Sequence, residues 1–232
     1  GFNGRDNHGQ EGVELANDST LSGQNGMRRV IRDRLGHVIE EVWAQEPVPG
    51  QDLYLSIDSR IQYIAYSAVK RAVEKHNAKA GAAVVADSIT GEILALASWP
   101  AFDPNDRSTF QWERVRNRVV TDTFEPGSTM KPFSIAKALD LGIVRPDSLI
   151  QTKPGKIMVA DRKITDGKDY GLLTVSQVIA KSSNVGTVKI ALQIPPQTLW
   201  ETYTRLGFGQ APQVGFHGAV AGRLRPVSYT HL

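Results

Sequence analysis

The stretch GAAVVADSITGEILALA, residues 81–97, decides the fold class that the sequence predicts. Two apolar runs, residues 81–86 and 92–97, are joined by a polar segment that contains Gly91. Apolar runs of this length on either side of a glycine-containing turn are typical of a buried antiparallel hairpin. We therefore expect two neighbouring strands of an antiparallel sheet here.

Helical patterns lie on both sides of this hairpin. Before it, apolar side chains recur three and four positions apart between residues 58 and 76, which predicts an amphipathic helix with one solvated face. The apolar positions of this helix are Ile61, Ile64, Ala65, Ala68, Ala72 and Val73. After the hairpin, a more uniformly apolar helix is predicted from Ser128 to Leu141, with Gly142 as its cap. A helix, a hairpin and further helices predict an α+β domain with helices packed on an antiparallel sheet.

A second hairpin is predicted nearer the start of the chain, where residues 28–32 and 37–41 flank a turn at residues 33–36. The sequence Pro-Val-Pro-Gly at residues 47–50 then indicates a linker. We therefore expect a small region over residues 1–46 and a larger domain that begins at residue 47.

Composition limits the classes of function. The 232 residues carry a net charge of only +3, and no block of Lys and Arg alternates with aromatic residues, so no nucleic-acid partner is expected. The chain has no cysteine, which excludes disulfides, thiolate metal sites and a cysteine nucleophile. The sequence contains neither a signal-peptide pattern nor an apolar run of about 18 residues, the length of a membrane span.

The pattern S-x-x-K occurs three times, beginning at Ser67, Ser128 and Ser134. Residues three positions apart share a helix face, so each copy can bring a hydroxyl and an amine together. Ser67 and Lys70 lie opposite the apolar stripe of the first helix, and we interpret them as solvated surface residues. Ser134 lies inside an apolar helix, where a serine hydroxyl typically bonds a carbonyl one turn earlier, so we expect a structural role.

The middle copy has a different setting, EPGSTMKPF at residues 125–133. Ser128 follows a Pro-Gly turn at a helix start, where a serine is also a good N-cap, so a purely structural role stays open. Lys131 favours a catalytic role for this segment, because the positive end of the helix dipole disfavours a charged lysine and lowers its pKa. A neutral amine one turn from a serine can accept its proton and leave an alkoxide-like nucleophile.

A second polar element, KSSN at residues 181–184, follows an apolar stretch further along the chain. Taken alone, it can be a helix-end turn, because Ser and Asn favour caps. After Ser128 and Lys131, however, Ser182 and Asn184 match in order and type the second motif of penicillin-recognising serine enzymes. In that chemistry a second hydroxyl relays protons between lysine and leaving amine, and an asparagine amide binds the substrate backbone.

The segment RNRVVTDTFEPGSTMKPF, residues 116–133, resembles the active-site segment of class B penicillin-binding proteins of the septal peptidoglycan D,D-transpeptidase type. GAAVVADSITGEILALAS, KSSNVGTVKIAL and LGFGQ are similar to further segments of this family, and residues 9–14 and 28–33 resemble its pedestal region. The likeness covers nearly all of residues 1–226. It implies a penicillin-binding/transpeptidase, serine β-lactamase-like fold, preceded by part of a small β-rich pedestal or dimerisation-type region.

The resemblance implies that Ser128 is the acylated nucleophile and Lys131 its general base, with Ser182 as the proton relay and Asn184 as a substrate-binding residue. The family cross-links peptidoglycan stem peptides of the cell wall at the division septum. Its serine attacks the D-Ala-D-Ala bond of one stem, D-Ala leaves, and the amine of a neighbouring stem accepts the acyl group. β-Lactams resemble D-Ala-D-Ala and acylate the same serine. No metal or organic cofactor is implied.

The partners that the resemblance implies are the two stem peptides, β-lactam antibiotics, proteins of the divisome and a glycosyltransferase. Members of the family are held in the inner membrane by a single N-terminal helix, with the catalytic domain in the periplasm. The lack of cysteine agrees with that location.

The sequence also departs from the family pattern. The third motif, Lys-Ser/Thr-Gly on a strand after S-x-N, is not found, and Lys153-Pro154-Gly155 precedes Ser182 and carries a proline that cannot donate from a strand. We therefore expect a fragment without the anchor and the third motif, inactive on its own, with a transpeptidase portion over residues 47–226 and a non-native tail at 227–232. Two alternatives are a serine β-lactamase, which the pedestal-like region disfavours, and an inactive fragment that senses β-lactams or binds divisome proteins.

Overall fold

The computed structural model describes residues 2–4, 8–106, 108, 110–215 and 217–225. The expected tail at residues 227–232 lies outside this described part. Contacts within the chain divide it into two units. The first unit is Gly1–Asp122 with Gln213–Ala219, and the second is Thr123–Pro212 with Val220–Leu232.

The first unit begins with small elements. Strand β1 (Phe2–Asn3) pairs antiparallel with β2 (Gly9–Glu11), and two short helices follow, α1 (Gly12–Ala16) and α2 (Asp18–Leu21).

The hairpin predicted at residues 28–41 is confirmed. Strands β3 (Met27–Arg32) and β4 (Val38–Gln45) pair antiparallel. In the turn between them, the Asp33 carboxylate accepts hydrogen bonds from the backbone N–H groups of Leu35 and His37, each at 2.8 Å. An aspartate in this position stabilises a tight turn through such local bonds.

The predicted helix and the fold-determining hairpin are also confirmed. Helix α3 (Ser59–Lys75) begins after Asp58, whose carboxylate caps it by accepting from two backbone N–H groups. Strands β5 (Gly81–Ala86) and β6 (Ile93–Trp99) pair antiparallel and pack against α3. A Cβ atom at Gly81 would lie 2.7 Å from a Val73 methyl group, so this close approach of strand and helix requires glycine.

The face of α3 that packs on the hairpin differs in part from the prediction. Two neighbouring rows of the helix are apolar, one through residues 61, 65, 69 and 73 and the other through 64, 68 and 72. The hairpin covers the first row, while Ile64 stays 64% exposed. Lys70 is not a solvated residue as predicted, because its half-buried side chain places the ammonium 4.8 Å from the centre of the Trp99 ring.

Two short helices, α4 (Trp112–Val115) and α5 (Arg118–Thr121), follow before the chain leaves the first unit at Asp122. The Asp122 carboxylate pairs with Arg116 at 2.7 Å and with Arg118 at 3.2 Å.

The second unit starts with a 3₁₀ turn (Gly127–Met130) that leads directly into α6 (Lys131–Asp140). The elements that follow are β7 (Leu149–Gln151), β8 (Lys156–Val159), β9 (Arg162–Thr165), β10 (Leu172–Thr174), α7 (Val175–Ala180), α8 (Asn184–Ala191) and α9 (Pro196–Arg205). Strand β7 pairs with β10 and β8 with β9, both antiparallel.

The core of the second unit lies between α6, α7 and α8. Ile135 of α6, Val178 of α7 and Ile190 of α8 are completely buried in one apolar cluster. A Cβ atom at Gly186 would lie 2.7 Å from a Val178 methyl group, so glycine allows α8 to approach α7 closely. This packing fixes the start of α8 relative to α6, and the polar residues discussed below lie at those two helix ends.

In the described residues every strand pair is antiparallel, and the two core clusters combine helices with such strands. The predicted α+β class is therefore confirmed. None of the described helices has the length and hydropathy needed to cross a membrane.

Candidate active site

Ser128 lies in the 3₁₀ turn before α6, after Gly127, whose backbone adopts a φ of +59° that favours glycine. The N-cap interpretation of Ser128 is wrong, because α6 starts after Met130 and no side chain caps either the turn or the helix. The serine is exposed, and within the described residues its hydroxyl has no hydrogen-bond partner. The hydroxyl is therefore not committed to a structural role.

Lys131 is the first residue of α6, and its amine contacts the S-x-N element. Its Nζ atom donates to the Ser182 carbonyl oxygen at 2.6 Å and to Asn184 Oδ1 at 2.6 Å, and it lies 3.0 Å from Ser182 Oγ. The structure thus brings Lys131, Ser182 and Asn184 together. Ser128 stands three positions earlier, and its carbonyl oxygen accepts from the Lys131 backbone N–H, while no hydrogen bond between the two side chains is seen in the described residues.

The protonation chemistry of Lys131 follows from these contacts. Carbonyl and amide oxygens only accept hydrogen bonds, so the amine must supply an N–H to each of its two oxygen partners. A neutral amine has two N–H groups for these oxygens, and its lone pair then remains for a hydroxyl proton. Ser182 Oγ is the hydroxyl that lies within hydrogen-bond distance of that third position.

The electrostatic setting favours the neutral amine. Burial lowers the pKa of Lys131 below the ordinary lysine value of 10.5, while the negative charge of Asp166 acts in the opposite direction. The position at the start of α6 adds the positive end of the helix dipole, which also disfavours an ammonium ion. Lys131 can therefore lose its proton more easily than a solvated lysine.

Ser182 has an unusual backbone conformation for a residue with a side chain. Its φ is +52°, in the left-handed region, and it lies in the short connection between α7 and α8. A non-glycine residue in this region costs about 1–3 kcal/mol and persists where surrounding contacts require it. The bonds from Lys131 to the Ser182 carbonyl and hydroxyl are such contacts.

Asn184 begins α8, and both ends of its side-chain amide are engaged. Its Oδ1 accepts from Lys131, and its Nδ2 donates to the Thr165 carbonyl oxygen at 2.7 Å. The orientation of the amide is therefore fixed, and its second N–H remains for another acceptor. This agrees with the substrate-binding role expected for Asn184, which stays a prediction.

Asp166 also belongs to the site formed by Lys131, Ser182 and Asn184, although no motif in the sequence predicts it. Its carboxylate accepts from the backbone N–H of Asn184 at 2.5 Å, from that of Val185 at 3.1 Å and from the Ser183 hydroxyl at 2.7 Å. Ser183 is the true N-cap of α8, because its Oγ accepts from the Gly186 N–H at 2.9 Å. No local pattern marks Asp166, since an Asp-Gly pair after a short strand is typical of an ordinary turn.

The other two S-x-x-K serines are placed differently. Ser134 is buried, its hydroxyl lies 2.6 Å from the Tyr203 hydroxyl and it donates to the Met130 carbonyl at 3.4 Å, so its predicted structural role is confirmed. Ser67 lies in the middle of α3 in the first unit. Metal-binding side chains do not gather in groups of three anywhere in the described part of the chain.

Comparison with known proteins identifies the family. Residues 81–230 match the penicillin-binding protein transpeptidase domain, and residues 1–55 match the penicillin-binding protein dimerisation domain. The chain therefore belongs to the penicillin-binding protein transpeptidase family, as its sequence motifs predicted.

Individual relatives agree with this assignment. The chain is 46% identical to the probable peptidoglycan D,D-transpeptidase PenA of Neisseria flavescens over 223 residues, which cover 95% of this chain and 55% of PenA. It is 43% identical to the peptidoglycan D,D-transpeptidase FtsI of Escherichia coli K12 over 222 residues, 96% of this chain and 37% of FtsI.

A solved structure supports the fold. The crystal structure of penicillin-binding protein 3 from Mycobacterium tuberculosis superimposes with a TM-score of 0.85 at 30% identity, over 99% of this chain and 48% of that chain. The penicillin-binding fold predicted from the sequence is thereby confirmed. The chain spans between 37% and 55% of the length of these three proteins.

Proposed function

We propose that the protein is a serine-type D,D-transpeptidase that cross-links peptidoglycan stem peptides through an acyl-Ser128 intermediate. The observation that carries the proposal is the amine of Lys131, which is partly buried at a helix start and bonded to both Ser182 and Asn184. The uncommitted hydroxyl of Ser128 lies in the turn that leads into the same helix. The printed names of PenA and FtsI as peptidoglycan D,D-transpeptidases support the reaction class.

In the first half of the reaction, neutral Lys131 accepts the proton of Ser128, and Oγ attacks the carbonyl carbon between the two D-Ala residues. A new ester C–O bond forms and the peptide C–N bond breaks. The proton passes from Lys131 through the Ser182 hydroxyl, 3.0 Å away, to the departing D-Ala amine. Asn184 holds the peptide backbone of the substrate through its remaining amide N–H.

In the second half, the amine of a neighbouring stem peptide attacks the Ser128 ester. Its proton returns through Ser182 to Lys131, the ester C–O bond breaks, and Ser128 recovers its hydroxyl proton. The product is a new amide bond between the two stems. A β-lactam enters the first half in the same way and leaves Ser128 as an ester whose leaving group stays attached.

The proposal extends to partners and location. Stem peptides and β-lactams are the partners that the reaction requires. Divisome proteins, a glycosyltransferase partner, an inner-membrane anchor and a periplasmic catalytic domain are the finer expectations, and membership of the family supports them.

The test is labelling of the full-length protein with fluorescent penicillin, followed by peptide mapping. We expect a lasting adduct on Ser128 that Ser128→Ala abolishes, whereas Ser67→Ala and Ser134→Ala, the matched S-x-x-K controls, keep it. Rapid turnover of the adduct would instead indicate a β-lactamase. Label on Ser67 or Ser134, or no label on the wild-type protein, would contradict the proposal.

A further inference from the structure

We propose that Lys168 and Lys181, whose ammonium groups lie over the Tyr170 ring, form an anion-binding subsite beside the S-x-N element that takes a carboxylate of the stem peptide. The identity of this ligand rests on the proposed transpeptidase function. The presence of an anion site at these two lysines does not.

The first observation is that two cations share one aromatic ring. The ammonium nitrogen of Lys168 lies 5.5 Å from the centre of the Tyr170 ring, and that of Lys181 lies 5.6 Å from it. Both lysines are exposed, and in the described part of the chain neither ammonium group has an ion pair or a hydrogen bond. Two like charges near one ring repel each other, so an anion that contacts both of them is favoured.

The second observation is that the ring is a fixed support. Tyr170 is half-buried and packs against the apolar cluster of the second unit. The carbonyl oxygen of the next residue, Gly171, accepts from the backbone N–H of the completely buried Thr152 at 2.7 Å and from its hydroxyl at 2.8 Å. Attraction to a ring held in this way restricts two long side chains that would otherwise adopt many rotamers. The two charges are therefore positioned before any ligand binds.

The third observation concerns the surrounding charge. The nearest carboxylates in sequence have other partners, because Asp166 accepts from the start of α8 and Asp169 accepts from the Gly171 N–H at 2.8 Å. Residues 151–181 contain six Lys and Arg and three Asp, so this segment has a net charge of +3, which equals that of the whole chain. A local excess of positive charge attracts anionic ligands.

The position of the pair relative to the candidate site indicates the ligand. Lys181 directly precedes Ser182, whose hydroxyl lies 3.0 Å from the Lys131 amine. An extended peptide advances about 3.3–3.6 Å per residue, so a stem of a few residues whose scissile bond lies at this amine spans the distance to the lysine pair. A phosphate would also satisfy two ammonium groups. The substrate of the proposed reaction is a peptide, however, so we assign the pair to a carboxylate on a residue that precedes the two D-Ala residues.

The test compares two penicillins that differ by one carboxylate, with the full-length protein. Carbenicillin carries a carboxylate on the side-chain carbon next to the acyl carbonyl, where benzylpenicillin carries a hydrogen. We expect Lys168→Gln and Lys181→Gln each to lower the ratio of the two acylation rates, carbenicillin over benzylpenicillin, by about 2- to 5-fold, the size expected for one exposed ion pair. The ratio cancels any effect on Ser128 or Lys131 that both penicillins share.

Matched variants separate the subsite from general effects. Lys163→Gln makes the same charge change at an exposed lysine of β9 and should leave the ratio unchanged. Tyr170→Leu removes the ring without changing the charge and should lower the ratio, whereas Tyr170→Phe keeps the ring and should restore it. Loss of packing alone would change both acylation rates together and would not change their ratio.

A binding experiment tests the subsite without any reaction. In the full-length Ser128→Ala protein, NMR signals of the Tyr170 ring are followed during titration with acetyl-Glu-D-Ala-D-Ala and with acetyl-Gln-D-Ala-D-Ala, which differ by one carboxylate. The glutamate peptide should shift the ring signals at a concentration several-fold lower than the glutamine peptide. Sodium acetate and inorganic phosphate are the free anions for comparison.

The outcomes separate the two proposals. If neither penicillin acylates the wild-type protein, the proposed function fails, and the peptide titration then decides on the subsite, which equal affinity for the two peptides overturns. If acylation occurs, an unchanged ratio in both lysine variants overturns the subsite. An equal decrease in Lys163→Gln also overturns it, because that result indicates only the overall charge of the segment. Shifts by acetate or phosphate at the concentration of the glutamate peptide would overturn the assignment to the stem peptide.

Discussion

A lysine at the first position of a helix faces the positive end of the helix dipole, which is a poor choice for stability. At Lys131 burial adds to this cost and lowers the pKa, and Asp166 offsets part of it. The three contacts with Ser182 and Asn184 then hold the amine in one place. This unfavourable placement of the charge suits a group that must give up its proton, since a fully stabilised ammonium ion cannot act as a base.

We expect Lys131→Ala to abolish acylation of Ser128 while the protein stays folded. Loss of a general base typically costs about 10²–10⁴ in rate. Each lost hydrogen bond contributes on the order of 1 kcal/mol, and removal of a charge that opposes the dipole returns part of this. The net loss is about 2 kcal/mol, so the melting temperature should fall by about 4–8 °C, at about 2–4 °C per kcal/mol for a domain of this size. Penicillin labelling rates and thermal melts measure the two effects.

The pH dependence of stability gives a further check on Lys131. Because its folded-state pKa lies below 10.5, the unfolded chain binds more protons in the range between these two values. The contribution of Lys131 to the stability of the wild-type protein should therefore rise with pH through that range, so the stability of the wild type relative to Lys131→Ala should rise with it. Lys137→Ala, on the same helix but paired with Asp140, is the control. Acylation of Lys131→Ala at a near wild-type rate would show that another group is the base.

At the scale of elements, local patterns were sufficient where one signal dominated. The apolar period between residues 58 and 76 predicted α3, and two apolar runs around a turn predicted β5 and β6. Local patterns were insufficient where two faces of a helix were equally apolar and either one could be the buried face. Both apolar rows of α3 satisfy a helical period, and only contact with the hairpin selects one of them.

In the candidate site, too, local patterns predicted some of the residues and not others. The types and spacing of Ser128, Lys131, Ser182 and Asn184 were visible in the sequence, because each belongs to a short motif. Asp166 was not visible, because its partners lie 17 to 19 positions away and are chosen by tertiary packing. The left-handed backbone conformation of Ser182 could not be predicted from the sequence either, since glycine or asparagine is the residue expected in that conformation.

The contact between α6 and α9 provides a prediction at the element scale. Ser134 of α6 and Tyr203 of α9 share a hydrogen bond of 2.6 Å, and Ser134 is buried. Ser134→Ala or Tyr203→Phe alone should cost about 1–3 kcal/mol, because one buried polar group loses its partner. The double variant should cost less than the sum, since neither partner is then left unsatisfied.

Denaturant unfolding of the four proteins in this double-mutant cycle measures the coupling, and penicillin labelling serves as the functional control. Ser128 acylation should stay within a few-fold of wild type in all of them, because neither side chain contacts the Lys131 amine. Strict additivity of the two losses, or loss of labelling in Ser134→Ala, would contradict the structural role of Ser134.

At the scale of the whole molecule, the residues of the candidate site are concentrated in one part of the chain. Ser128, Lys131, Asp166, Ser182 and Asn184 all belong to the second unit. Their hydrogen bonds connect the start of α6, the end of β9 and the start of α8, which the buried cluster around Ile135 and Ile190 holds together. The geometry of the site therefore depends on the core of this unit rather than on any single loop.

The β5–β6 hairpin of the first unit is the basis for a prediction about the behaviour of the whole chain. Within the described residues, β5 and β6 pair only with each other, and Val84 of β5 and Ile64 of α3 are 53% and 64% exposed. The outer edge of β6 is hydrogen-bonded to Asp58 and Gln62, whereas the outer edge of β5 has no strand partner in the described residues. A sheet of only two strands on one helix has a small core, and an unpaired strand edge promotes association with other chains. We expect the 232-residue chain, expressed alone, to self-associate through the unpaired edge of β5 and to exchange the β5 amide protons that face this edge rapidly.

Light scattering over a range of protein concentrations and hydrogen exchange across residues 82–97 test this expectation. Val84→Lys places a charge on the exposed strand surface and should reduce self-association, because inward or surface charges on such strands disfavour pairing with another chain. Ile89→Lys is the matched control, since Ile89 is 92% exposed in the turn and lies outside both strands. A chain that stays monomeric with strongly protected amides in both strands would show that the hairpin on α3 is stable as a two-stranded unit, and the reasoning from the unpaired edge of β5 would be wrong.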